Sequence, residues 1–593
     1  MGGHEMTRTS LTKGNTSRLL LVCLAALGFV AAGAQPLPGT YQVSWVGNSF
    51  SGAHEWVQNF FIHMNVAPDG TCYTWSHWDE GGRKFGIYRN GKQVGNEDVG
   101  ANSLEVKDKE GRAWKLNVRF VDPEFNEFDI EPISITCDGI PVNFPGLFQP
   151  TALAVAKDGD LMVADSGTGP RQQVLFYNIG DKDKPKLDRT FGDYGGISSG
   201  VPGVVTPTKF WGIRGVGMDA QGNIYVAMNE MGTILRSFSP RGKLLWQIFG
   251  LFFVDVACAD PSTDGIDVWA AQEHFKMDYS KSAGQDSRWV GYSLDRHSYP
   301  NDPRGLSYVK QQGEHGITSP QIVYLEGKRF LFTGGMFASN FINIFRYDGE
   351  VAVPSGTIMQ WENGLYRTDL TWPPSRPKGT FIWRDLNGDG AYQADEYQPN
   401  TPLVQPGPFW VDKVGNIWMA YGFFRYDFQG LDKKGNPIYR ADKVTKMDPP
   451  NGMRSIGRVY YDSDRDLLVA AEEASDMRHI GRVFVCRNYL KGNREATVFT
   501  TGAGRNAACI AVAGDYAFTG GWQARGKIWV NRLSDGKPMG TFDPGPTVGG
   551  VDSTGWIDIL TGITAYRRRN GEYLVFVEDD YRGKALLYRW KDR

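Results

Sequence analysis

Met218-Asp-Ala-Gln-Gly-Asn-Ile-Tyr-Val-Ala-Met228 is the stretch that decides the fold. An apolar strand ends at Met218, a turn follows whose glycine permits a positive φ, and a strand of β-branched and aromatic residues begins at Ile224. Three other stretches follow the same formula: Val66–Ser76, Val155–Asp165 and Val411–Tyr421. Weaker copies begin near Val256, Val323, Tyr461, Ala511 and Ala565. One hairpin unit therefore recurs along the chain.

The spacing of these hairpins indicates how they are arranged. Many adjacent copies begin about 40 to 50 residues apart, which is typical of four-stranded propeller blades. We predict an all-β fold, a single large β-propeller of about eight four-stranded blades (range seven to nine) with long loop insertions at 169–208, 274–316 and 362–404. Two sandwich domains are the alternative, but they would not predict one hairpin formula throughout the chain.

The first 34 residues have the pattern of a secretory signal. Arg8, Lys13 and Arg18 precede the apolar run 19–32, and small residues stand before Gln35. We expect a mature protein that begins near Gln35 and is secreted or periplasmic. Residues 35–147 are predicted to form an irregular β segment, either a first blade with extra strands or a small cap. Residues 148–593 are predicted to form the propeller.

Composition and motifs exclude several functions. Lys plus Arg is 64 against 66 Asp plus Glu, so no basic excess indicates nucleic-acid binding. After the signal, no stretch is apolar and long enough to cross a membrane. We expect the protein to be a monomer. No nucleophile elbow, Walker loop or H-E-x-x-H is present. The five cysteines of the mature chain form no C-x-x-C motif. One disulfide, between Cys72 and Cys137, stays open as an alternative.

Two segments resemble a known family. Gln149–Asp165 and Trp211–Ala227 are similar to NHL repeats, which belong to the wider class of propellers that includes gluconolactonase-like proteins. The resemblance is clear over 148–250, partial over 405–425 and faint elsewhere. It implies the fold but not one activity, because such propellers include lactonases, lyases, peptide-amidating enzymes and binding proteins. The catalytic metal ligands of the family have no matching segment in this sequence.

The sharpest motif runs from Asp385 to Glu396. It matches the calcium-loop pattern D-x-[DN]-x-[DN]-G-x₅-E. Ca²⁺ would take oxygens from positions 1, 3, 5, 7 and 12, which are Asp385, Asn387, Asp389, Ala391 and Glu396. Prolines on both sides argue against paired helices, so the predicted role is a structural one inside a long loop. The alternative is a polar turn rich in Asp and Gly.

Propeller geometry predicts where polar side chains converge. The first strand of each blade begins, and the second ends, on the same face. The second-strand ends are predicted to carry His77, Asp165, Glu230, Glu273, His274, Tyr421, Glu473, Trp522 and Glu578. The first-strand starts are predicted to carry Trp211, Arg214, Asp255, His315, Arg454, Asn506 and Asp558. Acids, arginines and indoles together suit a sugar or a second cation.

Five of these residues are the candidate catalytic set. They are Arg214, Glu230, Glu273, His274 and His315, which belong to three consecutive predicted blades. As an enzyme, the protein would act on a carbohydrate or lactone as a hydrolase or lyase, with Glu and His exchanging protons. As a non-catalytic module, it would bind a glycan or a protein through the same face. A binding module of this kind would have a shallow, aromatic-rich face with isolated charges. The alternative to a shared site for the five residues is that they form separate salt bridges around the rim.

Overall fold

A computed structural model describes fourteen stretches of the chain. They are residues 37–76, 84–120, 130–166, 169–251, 256–305, 318–335, 341–359, 372–401, 407–474, 478–522, 524–550, 552–555, 557 and 559–592. Every one of these stretches lies within one unit, Pro36–Arg593. None of the described residues forms a helix that is long and apolar enough to cross a membrane.

Short strands account for most of the described secondary structure. In chain order they are β1 Tyr41–Val46, β2 His63–Val66, β3 Cys72–Trp75, β4 Phe85–Arg89, β5 Lys92–Gly95, β6 Glu105–Lys107, β7 Ala113–Phe120, β8 Ile130–Cys137, β9 Ile140–Val142, β10 Pro150–Val155, β11 Leu161–Asp165, β12 Gln173–Asn178, β13 Lys186–Phe191, β14 Ile213–Met218, β15 Ile224–Met228, β16 Thr233–Phe238, β17 Leu244–Gly250, β18 Cys258–Ala259, β19 Asp267–Trp269, β20 Glu273–Met277 and β21 Ser287–Tyr292.

The second half of the chain continues in the same way. Its strands are β22 Thr318–Leu325, β23 Lys328–Gly334, β24 Phe341–Asp348, β25 Val351–Met359, β26 Phe381–Arg384, β27 Tyr397–Pro399, β28 Phe409–Val411, β29 Ile417–Met419, β30 Phe424–Tyr426, β31 Val444–Lys446, β32 Arg458–Asp462, β33 Leu467–Glu473, β34 Ile480–Arg487, β35 Thr497–Phe499, β36 Ala507–Ala513, β37 Tyr516–Gly521, β38 Ile528–Arg532, β39 Pro538–Phe542, β40 Ile563–Arg567, β41 Glu572–Asp579 and β42 Lys584–Lys591. Short 3₁₀ turns lie at Gly196–Ser198, Pro261–Thr263, Pro303–Gly305, Ala394–Glu396, Ala441–Lys443, Gly504–Asn506, Pro546–Val548 and Asp580–Arg582.

Consecutive strands pair into antiparallel sheets, which confirms the predicted all-β propeller plan. Within the described residues there are ten sheets: nine have four strands and one has six. We number them in chain order as sheet 1 (β2–β5), sheet 2 (β6–β9), sheet 3 (β10–β13), sheet 4 (β14–β17), sheet 5 (β18–β21), sheet 6 (β22–β27), sheet 7 (β28–β31), sheet 8 (β32–β35), sheet 9 (β36–β39) and sheet 10 (β40–β42 with β1). Ten sheets are two more than the expected eight.

The last sheet joins the two ends of the described chain. β1 pairs antiparallel with β42, with Tyr41 opposite Trp590 and Val46 opposite Ala585. The order in sheet 10 is therefore β1-β42-β41-β40, and the outermost strand comes from the start of the chain. This pairing covers the edge that β42 would otherwise expose, and it prevents the unfolding of one end without the other.

Contacts between neighbouring sheets divide the ten into two groups. In the six-sheet group, sheets 5 to 10 pack in chain order, and β18 of sheet 5 contacts both β22 of sheet 6 and β40 of sheet 10. In the four-sheet group, sheets 1 to 4 also pack against one another. Here β14 of sheet 4 contacts both β10 of sheet 3 and β2 of sheet 1. Sheets 3, 4, 5 and 10 share one hydrophobic cluster, which joins the groups.

Within the described residues, each predicted loop insertion contains strands from the outer half of a sheet. Residues 169–208 contain β12 and β13, 274–316 contain most of β20 and all of β21, and 362–404 contain β26 and β27. β13 is exposed along nearly its whole length, so its sequence has no apolar face. Outer strands of this kind read as polar loops because only one edge packs against the rest of the sheet.

Buried aspartates close the hairpins of sheets 2, 4 and 7. Asp108, Asp219 and Asp412 each begin the pattern Asp-x-x-Gly-[Arg/Asn]-x-[Trp/Tyr]. One carboxylate oxygen accepts the backbone N–H groups two and four residues later. The other oxygen accepts a side-chain N–H from the residue four positions after the aspartate and the ring N–H or O–H of the aromatic residue six positions after it. All these bonds are 2.6–3.1 Å long. Each carboxylate thus fixes the turn and the aromatic core residue of the next strand.

The five cysteines in the described residues are free thiols. Cys72, Cys137, Cys258, Cys486 and Cys509 are all buried. Cys72 packs in the cluster between sheets 1 and 4, whereas Cys137 packs in the cluster between sheets 2 and 3. The possible Cys72–Cys137 disulfide is therefore not formed.

The aspartate-closed hairpins predict a stability test. Asp412→Ala should lower the free energy of unfolding by about 2–4 kcal/mol, because it leaves the buried Trp418 indole N–H and two backbone N–H groups without their acceptor. Thermal and urea unfolding measure the change. Asp464→Ala is the matched control, since this turn aspartate is exposed and pairs only with Lys413, so less than about 1 kcal/mol is expected. Equal losses in both variants would contradict the role of the buried carboxylate.

Candidate functional site

The strand-end face is the side of the molecule on which first strands begin and second strands end. On sheets 3, 4 and 5 this face carries Asp165 at the end of β11, Glu230 just after β15 and Glu273 at the start of β20. Glu273 was predicted at the end of a second strand. It lies beyond that point because β19 ends at Trp269 and a tight turn, in which the Ala270 N–H donates to the Glu273 carbonyl, leads directly into β20.

Glu230 is held by an arginine and an indole. Its Oε2 accepts a hydrogen bond from Arg296 at 2.5 Å and from the Trp211 Nε1–H at 3.1 Å. The Glu230 backbone carbonyl accepts the Tyr292 hydroxyl, which joins sheet 4 to sheet 5. Glu230 and Arg296 are each less than one-fifth exposed. The Glu230 carboxylate is thus already neutralised by an ion pair.

Glu273 is the one predicted catalytic residue whose carboxyl group is left without hydrogen bonds. It is fully buried, and within the described residues neither side-chain oxygen has a hydrogen-bond partner. Burial raises the pKa of Glu273 to about 7, against the opposing effect of the nearby backbone N–H groups of 272 and 273, which do not reach hydrogen-bonding geometry, and of the Arg304 charge. Arg304 is itself fully buried in an ion pair with Asp302. Glu273 can therefore change its protonation state near neutral pH.

His274 lies between two carboxylates. Its Nδ1 bonds Glu350 Oε2 and its Nε2 bonds Asp267 Oδ1, both at 2.8 Å, and the ring stacks on Trp269 at 3.9 Å. Burial lowers the pKa of His274, but hydrogen bonds and charge from the two carboxylates outweigh burial, so the net pKa is raised. Because successive residues of a strand alternate in direction, His274 points to the opposite side of β20 from Glu273.

Arg214 lies inside the four-sheet group. Its backbone carbonyl accepts the Ser103 hydroxyl at 2.8 Å, and the side chain is buried. Burial, followed by the charge of Arg214, lowers the pKa of His63 to about 4. His63 in turn bonds Ser103 at 2.9 Å, as expected for a satisfied core histidine. Arg214 therefore faces sheets 1 and 2 and not His274.

The five predicted catalytic residues do not form one cluster in the described structure. Glu230 and Glu273 lie on neighbouring sheets, since Tyr292 pairs with Glu273 across the strands and bonds the Glu230 carbonyl. His274 is engaged between sheets 5 and 6, and Arg214 belongs to the other group of sheets. His315, like His77, Asp255 and Asp558, lies outside the described residues. Pairing of a glutamate with His274 as acid and base is not observed, because Asp267 and Glu350 occupy both of its ring nitrogens.

A group of three side chains on the strand-end face of sheet 3 was not predicted. We call Phe148, Arg171 and Tyr194 the arginine platform. The Arg171 guanidinium carbon lies 5.3 Å from the ring centre of Phe148 and 5.6 Å from that of Tyr194. The two aromatic residues are 57% and 55% exposed. The one available signal was that Arg171 and Tyr194 fall in the polar stretch 169–208.

The predicted calcium loop lies between β26 and β27 of sheet 6. Its first half winds as expected, because the side-chain oxygens of Asp385, Asn387 and Asp389 accept N–H groups two or three residues later. The oxygen of Gln393 at position 9 is buried and has no hydrogen-bond partner within the described residues. These features suit a cation.

Other contacts in the loop compete with a cation. Asp385 Oδ2 accepts Arg346 Nη1 at 2.6 Å. The two oxygens of Glu396 accept the Trp383 indole N–H and the backbone N–H groups of 386, 387 and 393. In the described residues no three His, Cys, Asp or Glu side chains are arranged as a metal site. Calcium would have to displace these donors at positions 1 and 12, and calcium binding stays a prediction.

The chain is similar to several solved structures at low sequence identity. Neither a family model nor a curated protein matches the chain. A solved structure described as the extracellular domain of a hybrid two-component system from B. thetaiotaomicron is 13% identical over 90% of this chain, with a TM-score of 0.28, and the chain spans 64% of its length. Sqt1 of Saccharomyces cerevisiae is 10% identical over 75% of this chain and 96% of its own, with a TM-score of 0.24. The β-propeller domain of Cps50 (Swd1) from Myceliophteria thermophila is 10% identical over 76% and 99%, with a TM-score of 0.21.

The two histidines predict opposite dependences on pH. Because the native pKa of His274 is raised, its contribution to stability is present below about pH 6.5 and is lost as pH rises through the raised pKa. The stability difference between wild type and His274→Gln should therefore shrink from pH 5.5 to pH 9, as measured by thermal unfolding. His63→Gln is the control with the opposite sign, since the lowered pKa of His63 makes the wild type lose stability as pH falls below about 6.5. Parallel curves for the two variants would contradict the assignment.

The loop at 385–396 gives a direct test for calcium. If the motif binds Ca²⁺, the melting temperature should fall in chelator, and Tb³⁺ should luminesce by energy transfer from Trp383, whose indole contacts Glu396. Asp389→Asn should abolish both effects. Asp395→Asn is the matched control, because position 11 of the pattern is not a ligand and Asp395 is exposed. An unchanged melting curve and no luminescence would show that Arg346 and Glu396 close the loop without metal.

Proposed function

We propose that the protein is a secreted β-propeller that binds a carbohydrate ligand through its strand-end face. The observation that carries the proposal is the contrast between two sets of side chains on that face. Glu230 and His274 are engaged in separate ion pairs, as expected for charges that stabilise the fold. The arginine platform instead presents two aromatic rings to solvent, with the largely buried side chain of Arg171 between them.

Exposed rings beside a polar group are suited to sugar binding. Tyrosine and phenylalanine rings offer flat apolar surfaces for the faces of a pyranose, and a nearby arginine supplies directed hydrogen bonds. Phe148 and Tyr194 project from two different connecting segments, one before β10 and one after β13. A ligand that contacts both would therefore span the strand-end face of sheet 3.

An enzyme remains the second candidate, and Glu273 is the observation that favours it. A buried carboxyl group with a pKa near 7 is typical of general acids, and the NHL and gluconolactonase resemblance includes hydrolases and lyases. Glu273 would be the proton donor, and a carbohydrate or lactone would be the substrate. Its complete burial means that a substrate would first have to open the turn at 270–273.

Binding and catalysis can be separated in one experiment. The mature protein, residues 35–593, is incubated with a panel of neutral and acidic oligosaccharides and sugar lactones, and both retention and product formation are measured. Binding predicts retention without product, and Phe148→Ala with Tyr194→Ala should weaken retention about fivefold or more per ring. Leu490→Ala removes an equally exposed apolar side chain elsewhere and should have no effect.

The remaining outcomes decide between the candidates. Product formation that is lost in Glu273→Gln but kept in the exposed control Glu110→Gln would establish the enzyme. Retention that is insensitive to both ring substitutions would place binding elsewhere and contradict the proposal. If no saccharide is retained and none is converted, carbohydrate binding is wrong, and a protein ligand becomes the hypothesis to test.

A further inference from the structure

The arginine platform is assembled around one buried carboxylate. Asp165, at the end of β11, is fully buried and accepts the backbone N–H groups of Phe148 at 3.1 Å and Gln149 at 2.6 Å. Its Oδ2 also lies 3.2 Å from the Nε of Arg171. The Arg171 carbonyl accepts the N–H of Gly195 at 3.0 Å, which ties the Tyr194 segment to the same place. Three separate segments are therefore held together before any ligand arrives.

The orientation of Arg171 leaves its terminal amines for a ligand. The Nε edge faces Asp165, and within the described residues neither terminal amine makes a hydrogen bond to the protein. The side chain is 15% exposed, between two exposed rings. A guanidinium has five N–H donors in a planar fork that matches a carboxylate or sulfate group.

Two other arginines that stack on rings in this protein donate hydrogen bonds to the fold through their terminal amines. Arg189, over Phe176, donates to Asp158, Asp160 and Asp188. Arg494, over Tyr489, donates to two backbone carbonyls. In those places the stacked guanidinium is bound by neighbouring groups of the fold. At Arg171 the rings and the available fork coincide at the surface, which is the arrangement of a recognition site.

We propose that Arg171 binds the anionic group, carboxylate or sulfate, of an acidic saccharide whose sugar rings contact Phe148 and Tyr194. The proposal rests on the carbohydrate binding proposed above and adds its chemical class. Asp165 acts as a positioning residue: it holds the Nε edge of Arg171 and leaves the two terminal amines without a carboxylate partner. Because the site is pre-organised, little ordering entropy opposes binding. Charge attraction at this exposed position should weaken as salt is added.

Calorimetric titration with three matched ligands tests this. They are an oligogalacturonate, its methyl ester, which keeps the rings and loses the charge, and a sulfated oligosaccharide of similar length. We expect the wild-type protein to bind one or both anionic ligands at least tenfold more tightly than the ester. The arm that binds more tightly identifies the anionic group. Affinity should fall between 50 and 300 mM salt.

Variants of Arg171 test the residue itself. Arg171→Ala should weaken binding of the anionic ligand roughly tenfold to a hundredfold and leave the ester unchanged. Arg171→Lys keeps the charge without the planar fork and should recover only part of the loss. Arg494→Ala is the matched control, because it removes another arginine stacked on a ring, and it should have no effect. Melting temperatures confirm that each variant is folded.

Three results would overturn the inference, and they differ in what else they overturn. If the ester and the free acid bind equally and the ring substitutions still weaken both, carbohydrate binding stands and recognition of the anion by Arg171 is wrong. If the wild type binds none of the three ligands nor any saccharide of the wider panel, the proposed function fails as well. Equal loss of affinity for acid and ester in Arg171→Ala would reduce Arg171 to a structural support for the rings.

Discussion

Buried aspartates that accept several N–H groups from one connection are the interaction on which the rest of this structure depends. Strands satisfy their backbone groups by pairing, but the turns between them cannot, and a fold of ten sheets repeats that problem many times. On one side of the sheets, the carboxylates of three buried aspartates accept the backbone N–H groups of the turns: Asp108, Asp219 and Asp412. Asp165 solves it on the other, with two backbone donors and an arginine. Each carboxylate fixes a turn and, through it, the side chains that the turn carries.

The hydrogen bonds of the buried aspartates also distinguish two kinds of charged side chain: those fully bonded within the fold and those that keep donors for a ligand. Where a carboxylate and a cation use all their polar atoms on each other and on the backbone, as Asp302 and Arg304 do, the pair stabilises the fold and has nothing to offer a ligand. Asp165 engages only one edge of Arg171. The strand-end face therefore combines a rigid base with unused hydrogen-bond donors, and this combination is what recognition of a polar ligand requires.

The sequence could predict the repeat but not the way in which the repeats pack. The hairpins at 218 and 411 are local, because alternation and a glycine turn are visible within eleven residues. The pairing of β1 with β42 and the division into four and six sheets depend on contacts between distant segments, which leave no local pattern. His274 illustrates the same limit at the candidate site. The predicted strand-end position was nearly right, yet its role is decided by Glu350, which belongs to the next sheet.

Glu273 is the residue that distinguishes the enzyme hypothesis from the binding hypothesis. A buried carboxyl group without hydrogen bonds destabilises the fold by about 1–3 kcal/mol, so its position needs an explanation that packing alone does not give. Tyr292 pairs with Glu273 across the strands and bonds the Glu230 carbonyl, and the turn 270–273 leads from β19 to Glu273. A ligand that moved that turn would hydrate Glu273 and lower its pKa, which releases a proton near neutral pH. The enzyme hypothesis therefore requires a ligand that moves this turn.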